Sequence, residues 1–361
     1  MIKILFFIET LRAGGAEKVL LSLVNHMDPS RFQVSVATPW PEDRSLLAPG
    51  VGYQSLYPSK NRLYRNLYRL EAQLGTAVRR IRGSFDIEVA YLECGPTKIM
   101  AASPSKAKKI AWVHCDLTLK HDDPAVFVRQ CAPWYRKYDR VVCVSETVRE
   151  SYRKLFGDTP PVSVLHNVND EAEILEKADA FVPEKADVPT LCAVGRLSEE
   201  KGFDRLVLAC VRLKEEGIPF RLQLIGEGDQ RPQLEALIEQ EGLGSHVQLL
   251  GWQSNPYPYM KAADVVVCSS RYEGLSTVIT EALILGKAVV TTPCGGMQEL
   301  LGHSESGLIT DDLHGALKRM LTAPCLRARY AAAAARRGLD FRKDALLAET
   351  EQFFTETLEG T

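Results

Sequence analysis

Glu273 and Glu281 lie within residues 271–287, RYEGLSTVITEALILGK, a stretch that is polar up to Gly274 and then apolar except for Glu281. Val278, Ala282 and Leu285 fall on one helical stripe, and Leu275, Ile279 and Leu283 widen it. A helix this apolar is mostly buried, and a buried carboxylate is costly unless something pairs or hydrogen-bonds with it. With Ser276 as N-cap, Glu281 lies about 7 Å up the axis at roughly 1.5 Å per residue. Glu273 then stands in the loop just ahead of the helix, beside backbone N–H groups that no helical carbonyl satisfies. Two acids beside such donors suit a polyhydroxylated, partly anionic ligand. A buried structural salt bridge would use the same residues.

Residues 195–202, GRLSEEKG, follow an expected strand, at the kind of strand end where doubly wound folds bind ligands. Arg196 and Lys201 could converge there on one diphosphate, the guanidinium as a fork and the ammonium as a point charge. In a solvated loop they would pair with Glu199 and Glu200 instead. Gly14 and Gly15 stand where the first strand meets its helix; they let the backbone approach a phosphate, or simply make a tight turn. A full GxGxxG is absent, which disfavours a dinucleotide site. IGEG at 225–228, and Leu250 with Gly251, are further turns at strand ends. Their backbone groups, around Gly226 and Leu250, could meet a nucleobase edge.

His114 ends the apolar run KKIAWVH and could touch a sugar hydroxyl or share developing charge; a core histidine bonded to a carbonyl is the alternative. His166 and Asn167 end the matching strand and read as caps of the turn between domains. Residues 292–300, TPCGGMQEL, place Gly295 and Gly296 after a strand, as a substrate-side loop or only a turn. No DxD and no His/Cys cluster with ligand spacing occurs, so no metal site is expected. GxSxG and the P-loop are also absent.

These residues need a scaffold of strand ends. The chain has 361 residues, more than one comfortable core, so two domains are expected. Continuous apolar runs at 2–8, 32–38, 87–92, 109–114, 140–145 and 162–165 read as buried parallel strands alternating with helices. Residues 170–189 are acidic, with little apolar periodicity, as a linker would be. A second series follows at 190–194, 221–225, 247–250, 265–268 and 288–291, and residues 341–358 form a last periodic helix. The order is βαβα twice over: an α/β chain of two Rossmann-like domains facing each other across a cleft.

Hydrophobic residues make up 45% and charged residues 25%, as in an ordinary soluble globular protein. No apolar run reaches the roughly 18 residues of a membrane span, and MIKILFFIE lacks a signal peptide's charged start. Nine cysteines without a CxxC favour reduced thiols in the cytosol. The net charge of −2 hides an asymmetry. Residues 1–168 hold 24 Lys and Arg against 16 Asp and Glu, and the remainder holds 20 against 30. A basic first half suggests that it faces something anionic. Residues 60–70, KNRLYRNLYRL, interleave cations with aromatic and aliphatic residues, as an interfacial helix does with aromatics at the headgroup level. A solvated basic face would look the same. No nucleic-acid motif is present.

Taken together, EGLSTVITEAL with its E-x7-E, GRLSEEKG upstream, GGAEKVL at the N-terminus and TPCGGMQEL downstream resemble the retaining glycosyltransferases of family four, fold type GT-B. The resemblance covers nearly the whole chain, with the motifs in order. It implies an acceptor-binding domain at 1–168, completed by a helix at 341–361 that crosses back to it. It implies a nucleotide-sugar-binding domain at 169–340. Glu281 would hold the donor ribose, and Glu273 the transferred sugar beside the N–H groups of Gly274, Leu275 and Ser276. Arg196 and Lys201 would neutralise the departing diphosphate, with Gly15 closing on it, and His114 would touch the donor sugar near the reacting centre.

The implied activity is a retaining, metal-independent hexosyl transfer from a nucleotide sugar, most readily UDP-linked, with no cofactor beyond that co-substrate. The implied acceptor is a saccharide, lipid-linked, for capsule, exopolysaccharide or another surface glycan. The implied place is the cytoplasm, peripherally on the inner face of the cell membrane. An epimerase or phosphorylase on the same fold, or an inactive sugar-nucleotide-binding protein, are the rival readings. Three departures stand out: Val168 replaces the glycine of the family's Asn-Gly-Val-Asp pattern, Gln298 replaces a proline after the paired glycines, and SGLITDDLHGAL is shorter than the usual loop.

Overall fold

A computed structural model describes residues 1–12, 14–119 and 123–360. Ala13 of the first glycine turn and Thr361 of the expected crossing segment lie outside the described residues. The chain divides into two compact units, residues 1–169 with 343–360, and residues 170–342.

The first unit runs β1 (Ile2–Phe7), α1 (Gly15–His26), β2 (Phe32–Thr38), β3 (Gly52–Ser55), α2 (Arg62–Leu74), β4 (Ile87–Ala90), α3 (Gly95–Met100), β5 (Lys108–Val113), α4 (Pro124–Tyr135), β6 (Arg140–Cys143), α5 (Glu146–Phe156) and β7 (Val162–Val164). Its seven strands are all parallel, in the order β3-β2-β1-β4-β5-β6-β7. The second unit runs α6 (Glu171–Ala178), β8 (Thr190–Val194), α7 (Phe203–Glu215), β9 (Arg221–Ile225), α8 (Arg231–Gln240), β10 (Val247–Gly251), α9 (Tyr257–Ala262), β11 (Val265–Cys268), α10 (Thr277–Ile284), β12 (Ala288–Thr291), α11 (Met297–Leu301), β13 (Leu308–Ile309), α12 (Leu313–Thr322) and α13 (Pro324–Gly338). Its six parallel strands take the order β10-β9-β8-β11-β12-β13.

The central strands are mostly apolar because both faces of each sheet are covered, and β4, β11 and β12 are buried along their whole length. In each sheet the strand order reverses once, beside β1 in the first and beside β8 in the second. The loops leaving β1 and β4, and those leaving β8 and β11, therefore diverge to opposite faces and leave a crevice at the strand ends.

α14 (Lys343–Glu359) returns to the first unit. Glu351 accepts from the Asp28 backbone N–H at 2.7 Å and from Arg31 at 2.8 Å, and Phe354 lies in the aromatic cluster of Phe6, Phe32 and Trp112.

Two expectations are corrected. Residues 170–189 do not form a linker throughout: Asp170 accepts from the Glu173 N–H at 3.2 Å and caps α6, whose Ile174 and Ala178 are buried. The acidic residues there sit at a helix N-terminus, where the dipole favours them. The aromatic residues of α2 do not lie at its exposed face either. Tyr64 and Tyr68 pack inward on Trp40 and Tyr57, with Tyr68 at 5.3 Å from Trp40. The outward face instead carries Leu63, Leu70 and Leu74, at 71, 54 and 67% exposure, with Arg62, Arg65 and Arg69.

Candidate functional site

Lys201 ends the short turn Glu199–Lys201 in the loop after β8. Its ammonium donates to Glu273 Oε1 at 2.7 Å, and Ser270 Oγ donates to the same oxygen at 2.7 Å. Glu273 is 13% and Lys201 25% exposed. Burial opposes the lysine's charge, but the Glu273 carboxylate outweighs it and holds the ammonium above the usual lysine range. The two loops are stitched along their length. Arg271 forks onto Asp204 at 2.9 and 2.7 Å and reaches the Glu199 carbonyl at 2.8 Å. The Arg271 N–H donates to Glu200 O at 2.7 Å, and Ser269 Oγ to Lys201 O at 2.9 Å. Lys201 thus pairs across the crevice with Glu273, while Arg271 takes the Glu199 backbone carbonyl and Tyr272 Oη donates to the Glu200 carboxylate at 3.4 Å. Arg196 is exposed, and its side chain makes no ion pair or hydrogen bond among the described residues.

α10 starts one residue after Ser276, which has the extended backbone of an N-cap but makes no side-chain capping bond. Residues 274–276 thus form the turn that joins Glu273 to the helix start. Glu281 is 4% exposed, and Tyr257 Oη, itself in a buried residue of α9, donates to it at 3.3 Å. A tyrosine hydroxyl is thus one partner of the buried acid. Nothing in the periodicity around NPYPYM marks that tyrosine; only the demand for a partner was visible.

The loop of TPCGGMQEL lies on the Glu273 segment. A Cβ on Gly295 would stand 2.3 Å from Glu273 O, and one on Gly296, at φ +72°, 2.6 Å from Gly274 O. The paired glycines let one backbone lie directly on another. Thr292 Oγ1 ties the loop to Ser270 O at 2.5 Å. Gln298, which replaces the family's proline, bonds His303 Nδ1 at 2.8 Å. The turns after β8 and β9 are equally close: Gly226, at φ +144°, would place a Cβ 1.8 Å from Gly195 O. Its N–H donates to Gly251 O at 2.8 Å, and Leu250 O accepts from Gln253 at 2.9 Å. These backbone groups are already bonded within the protein.

In the first unit, Gly14 is the extended N-cap of α1, and its carbonyl accepts from Lys18 N at 3.2 Å. A Cβ on Gly14 would lie 2.1 Å from Glu17 Oε2, so a carboxylate already folds over this turn. Gly15 is the first helical residue. His114 follows β5; its backbone N–H donates to Glu93 Oε2 at 3.1 Å, and its ring lies 4.6 Å from that of Tyr91. Cys115 Sγ donates to Glu93 Oε1 at 3.1 Å. Glu93, only 6% exposed, is a second residue that sequence reasoning missed. Asn167 is buried, its carbonyl accepting from Asn169 Nδ2 at 2.9 Å, and Val168, in place of glycine, is 2% exposed. His166 is half-buried. Among the described residues no group of three His, Cys, Asp or Glu is placed to hold a metal ion.

Residues 13–173 match the model of Glycosyltransferase Family 4, and residues 164–337 that of Glycosyl transferases group 1. The lipopolysaccharide core biosynthesis glycosyltransferase LpsD of Rhizobium meliloti is 26% identical over 327 residues, 88% of each chain. The N-acetylgalactosamine-N,N'-diacetylbacillosaminyl-diphospho-undecaprenol 4-alpha-N-acetylgalactosaminyltransferase of Campylobacter jejuni is 33% identical over 218 residues; the match spans 58% of this chain and 58% of that one. Anabaena HepE, solved in complex with UDP and glucose, superposes with a TM-score of 0.78 at 20% identity, covering 98% of this chain and all of HepE. With the two models spanning both units in sequence, the chain belongs to the glycosyltransferases of family 4 and group 1 and has their GT-B fold.

Proposed function

We propose that the protein is a retaining glycosyltransferase that moves a hexose or N-acetylhexosamine from a UDP-sugar to a lipid-linked saccharide in surface-glycan synthesis. The observation that carries this reading is the Lys201–Glu273–Ser270 cluster at the crevice of the second unit, immediately ahead of α10. In the proposal Glu273 orients hydroxyls of the transferred sugar. Glu281, with Tyr257 holding its other contact, takes the ribose. Departure of the diphosphate builds negative charge, which Lys201, Arg196 and the N–H groups at 274–276 stabilise, so that no metal is required. His114 and Gly15 act from the first unit, which takes the acceptor. The sugar becomes oxocarbenium-like, and the acceptor oxygen attacks from the face the diphosphate leaves, which retains configuration.

The support for the donor and acceptor is comparative: HepE was solved with UDP and glucose, and the Campylobacter relative is named for a diphospho-undecaprenol acceptor. Incubating the protein with UDP-sugars and an undecaprenyl-diphosphate saccharide, then reading the new linkage by NMR, tests the reading. An α-configured donor should give an α-linked product with EDTA present. An inverted linkage, a glycosyl-enzyme adduct in mass spectra, or abolition by EDTA would each contradict the part it addresses.

The proposed membrane contact is the outward face of α2. Among the described residues no helix is long and apolar enough to cross a membrane. Leu63, Leu70 and Leu74 would enter the headgroup boundary, and Arg62, Arg65 and Arg69 would meet anionic lipid. Replacing the three arginines by glutamate should abolish binding to phosphatidylglycerol-containing liposomes; unchanged binding would end this part of the proposal.

A further inference from the structure

Two of the nine cysteines meet behind the Glu273 cluster. Cys268 is the last residue of β11 and is 7% exposed; Cys294 lies in the loop after β12 and is half-buried. β11 and β12 are parallel neighbours with Cys268 opposite Thr291, and the Thr292 N–H donates to Cys268 O at 3.0 Å. Thr292 stands between the two cysteines, its N–H on the Cys268 carbonyl and its hydroxyl against the Cys294 sulfur. A ring of further bonds closes the cluster: Cys268 Sγ to Ser270 Oγ at 3.4 Å, Thr292 Oγ1 to Ser270 O at 2.5 Å, and Thr292 Oγ1 to Cys294 Sγ at 3.8 Å. Ser270 is the residue that donates to Glu273. Gly295 and Gly296, next after Cys294, lie on the Glu273 and Gly274 carbonyls.

We propose that Cys268 and Cys294 form a redox-active dithiol that hydrogen peroxide closes to a disulfide, and that closure disables the donor site in front of it. Interaction with Cys294 draws the Cys268 thiol down to about 7, against burial, and pushes the Cys294 thiol up. Cys268 so carries thiolate character near neutral pH, and the thiolate is the form that attacks peroxide. The balance is simple. Sulfur attacks one peroxide oxygen, the O–O bond breaks, and a sulfenic acid and water form. The second sulfur then attacks the sulfenic sulfur, the S–O bond breaks and a second water leaves. Two thiols and one peroxide give one disulfide and two waters.

A disulfide requires sulfurs about 2.05 Å apart, well inside thiol contact distance, so closure draws the loop toward β11. That loop has no slack, because its glycines already rest on the backbone of Glu273 and Gly274. The Ser270 and Thr292 bonds move with it, and Glu273 loses its fixed place beside Lys201. Cys268, the thiolate of the pair, attacks the peroxide, and the half-exposed Cys294 resolves the sulfenic acid. A dithiothreitol-type thiol reverses the step by exchange.

The consequence for the donor rests on the function proposed above; the dithiol does not. Full-length protein is treated with stoichiometric hydrogen peroxide, alkylated with iodoacetamide and digested without reduction. The expected result is a peptide pair joining Cys268 to Cys294, released by dithiothreitol and absent from C294S and C294A. Recovery of both cysteines as separate alkylated or sulfinic species would overturn the proposal. In parallel, oxidation should weaken UDP-sugar binding at least tenfold in wild type, reversibly, and leave C294S unaffected. A disulfide that forms without changing UDP-sugar affinity would overturn the control of the site. If reduced protein binds no nucleotide, the donor-site reading fails, and the peptide map still judges the dithiol.

Discussion

The two sheets present the same crevice and furnish it differently. In the second unit an ammonium, a carboxylate and a hydroxyl are already in contact at 2.7 Å, and the surrounding loops lie backbone on backbone. In the first unit the corresponding turn is covered by the flexible end of Glu17, and Glu93 gathers the Cys115 thiol and the His114 backbone. The second is a built charge site with little freedom to adapt; the first relies on side chains that can rearrange. Stabilising a leaving diphosphate rewards fixed charges, since preorganised dipoles need no reorganisation during reaction. Fitting an acceptor sets no such demand.

The largest test of that difference is a pair of glycines. Gly226→Ala should destabilise the second unit by about 3 kcal/mol, because a Cβ would collide with backbone at a positive φ. Gly14→Ala should cost less than about 1 kcal/mol, since its Cβ meets only the movable end of Glu17. Thermal denaturation reads both, and equal losses would erase the contrast. Next comes chemistry. Glu273→Gln should lower kcat about 100-fold or more while leaving the fold intact, and His114→Ala about tenfold. A larger loss at His114 would move the weight of catalysis to the first unit.

Tyr257→Phe removes one hydrogen bond to a buried carboxylate and should weaken donor binding about fivefold, roughly 1 kcal/mol, without changing kcat. The smallest effect is at alkaline pH. Because Lys201 is held above its ordinary range, its contribution to stability is full below the unfolded lysine value of about 10.4 and fades as pH rises through the folded one. Lys201→Met should flatten that alkaline decline in melting temperature. An unchanged decline would show that other groups cause it.

Much of this architecture was legible in the chain. Buried parallel strands are continuous apolar runs, and the runs at 32–38, 190–194, 221–225, 265–268 and 288–291 match the observed strands. β3 escaped because GYQS is half-buried and mixed in polarity, and β13 because it has two residues. α6 was hidden by its own N-terminal acids, which look like linker composition until their place at a helix start is known. In the site, Lys201 and Glu273 were each visible as chemistry-bearing residues at strand ends. Their direct bond spans 72 positions and comes from the strand order, not from any local pattern. Ser270, Tyr257, Glu93 and the Cys268–Cys294 pair were missed for the same reason. Each is one ordinary residue that topology carries to a partner.

In the proposed donor site two acids divide the labour, and nucleotide titrations of two variants test that division. Thermal shift with UDP and with the preferred UDP-sugar is measured for Glu273→Gln and Glu281→Gln, since a bound ligand raises the melting temperature by mass action. Glu281→Gln should weaken both ligands alike, by about tenfold or 1.4 kcal/mol, and Glu273→Gln should weaken the UDP-sugar while leaving UDP unchanged. UDP binding that is indifferent to Glu281, or as sensitive to Glu273 as the UDP-sugar is, would contradict it.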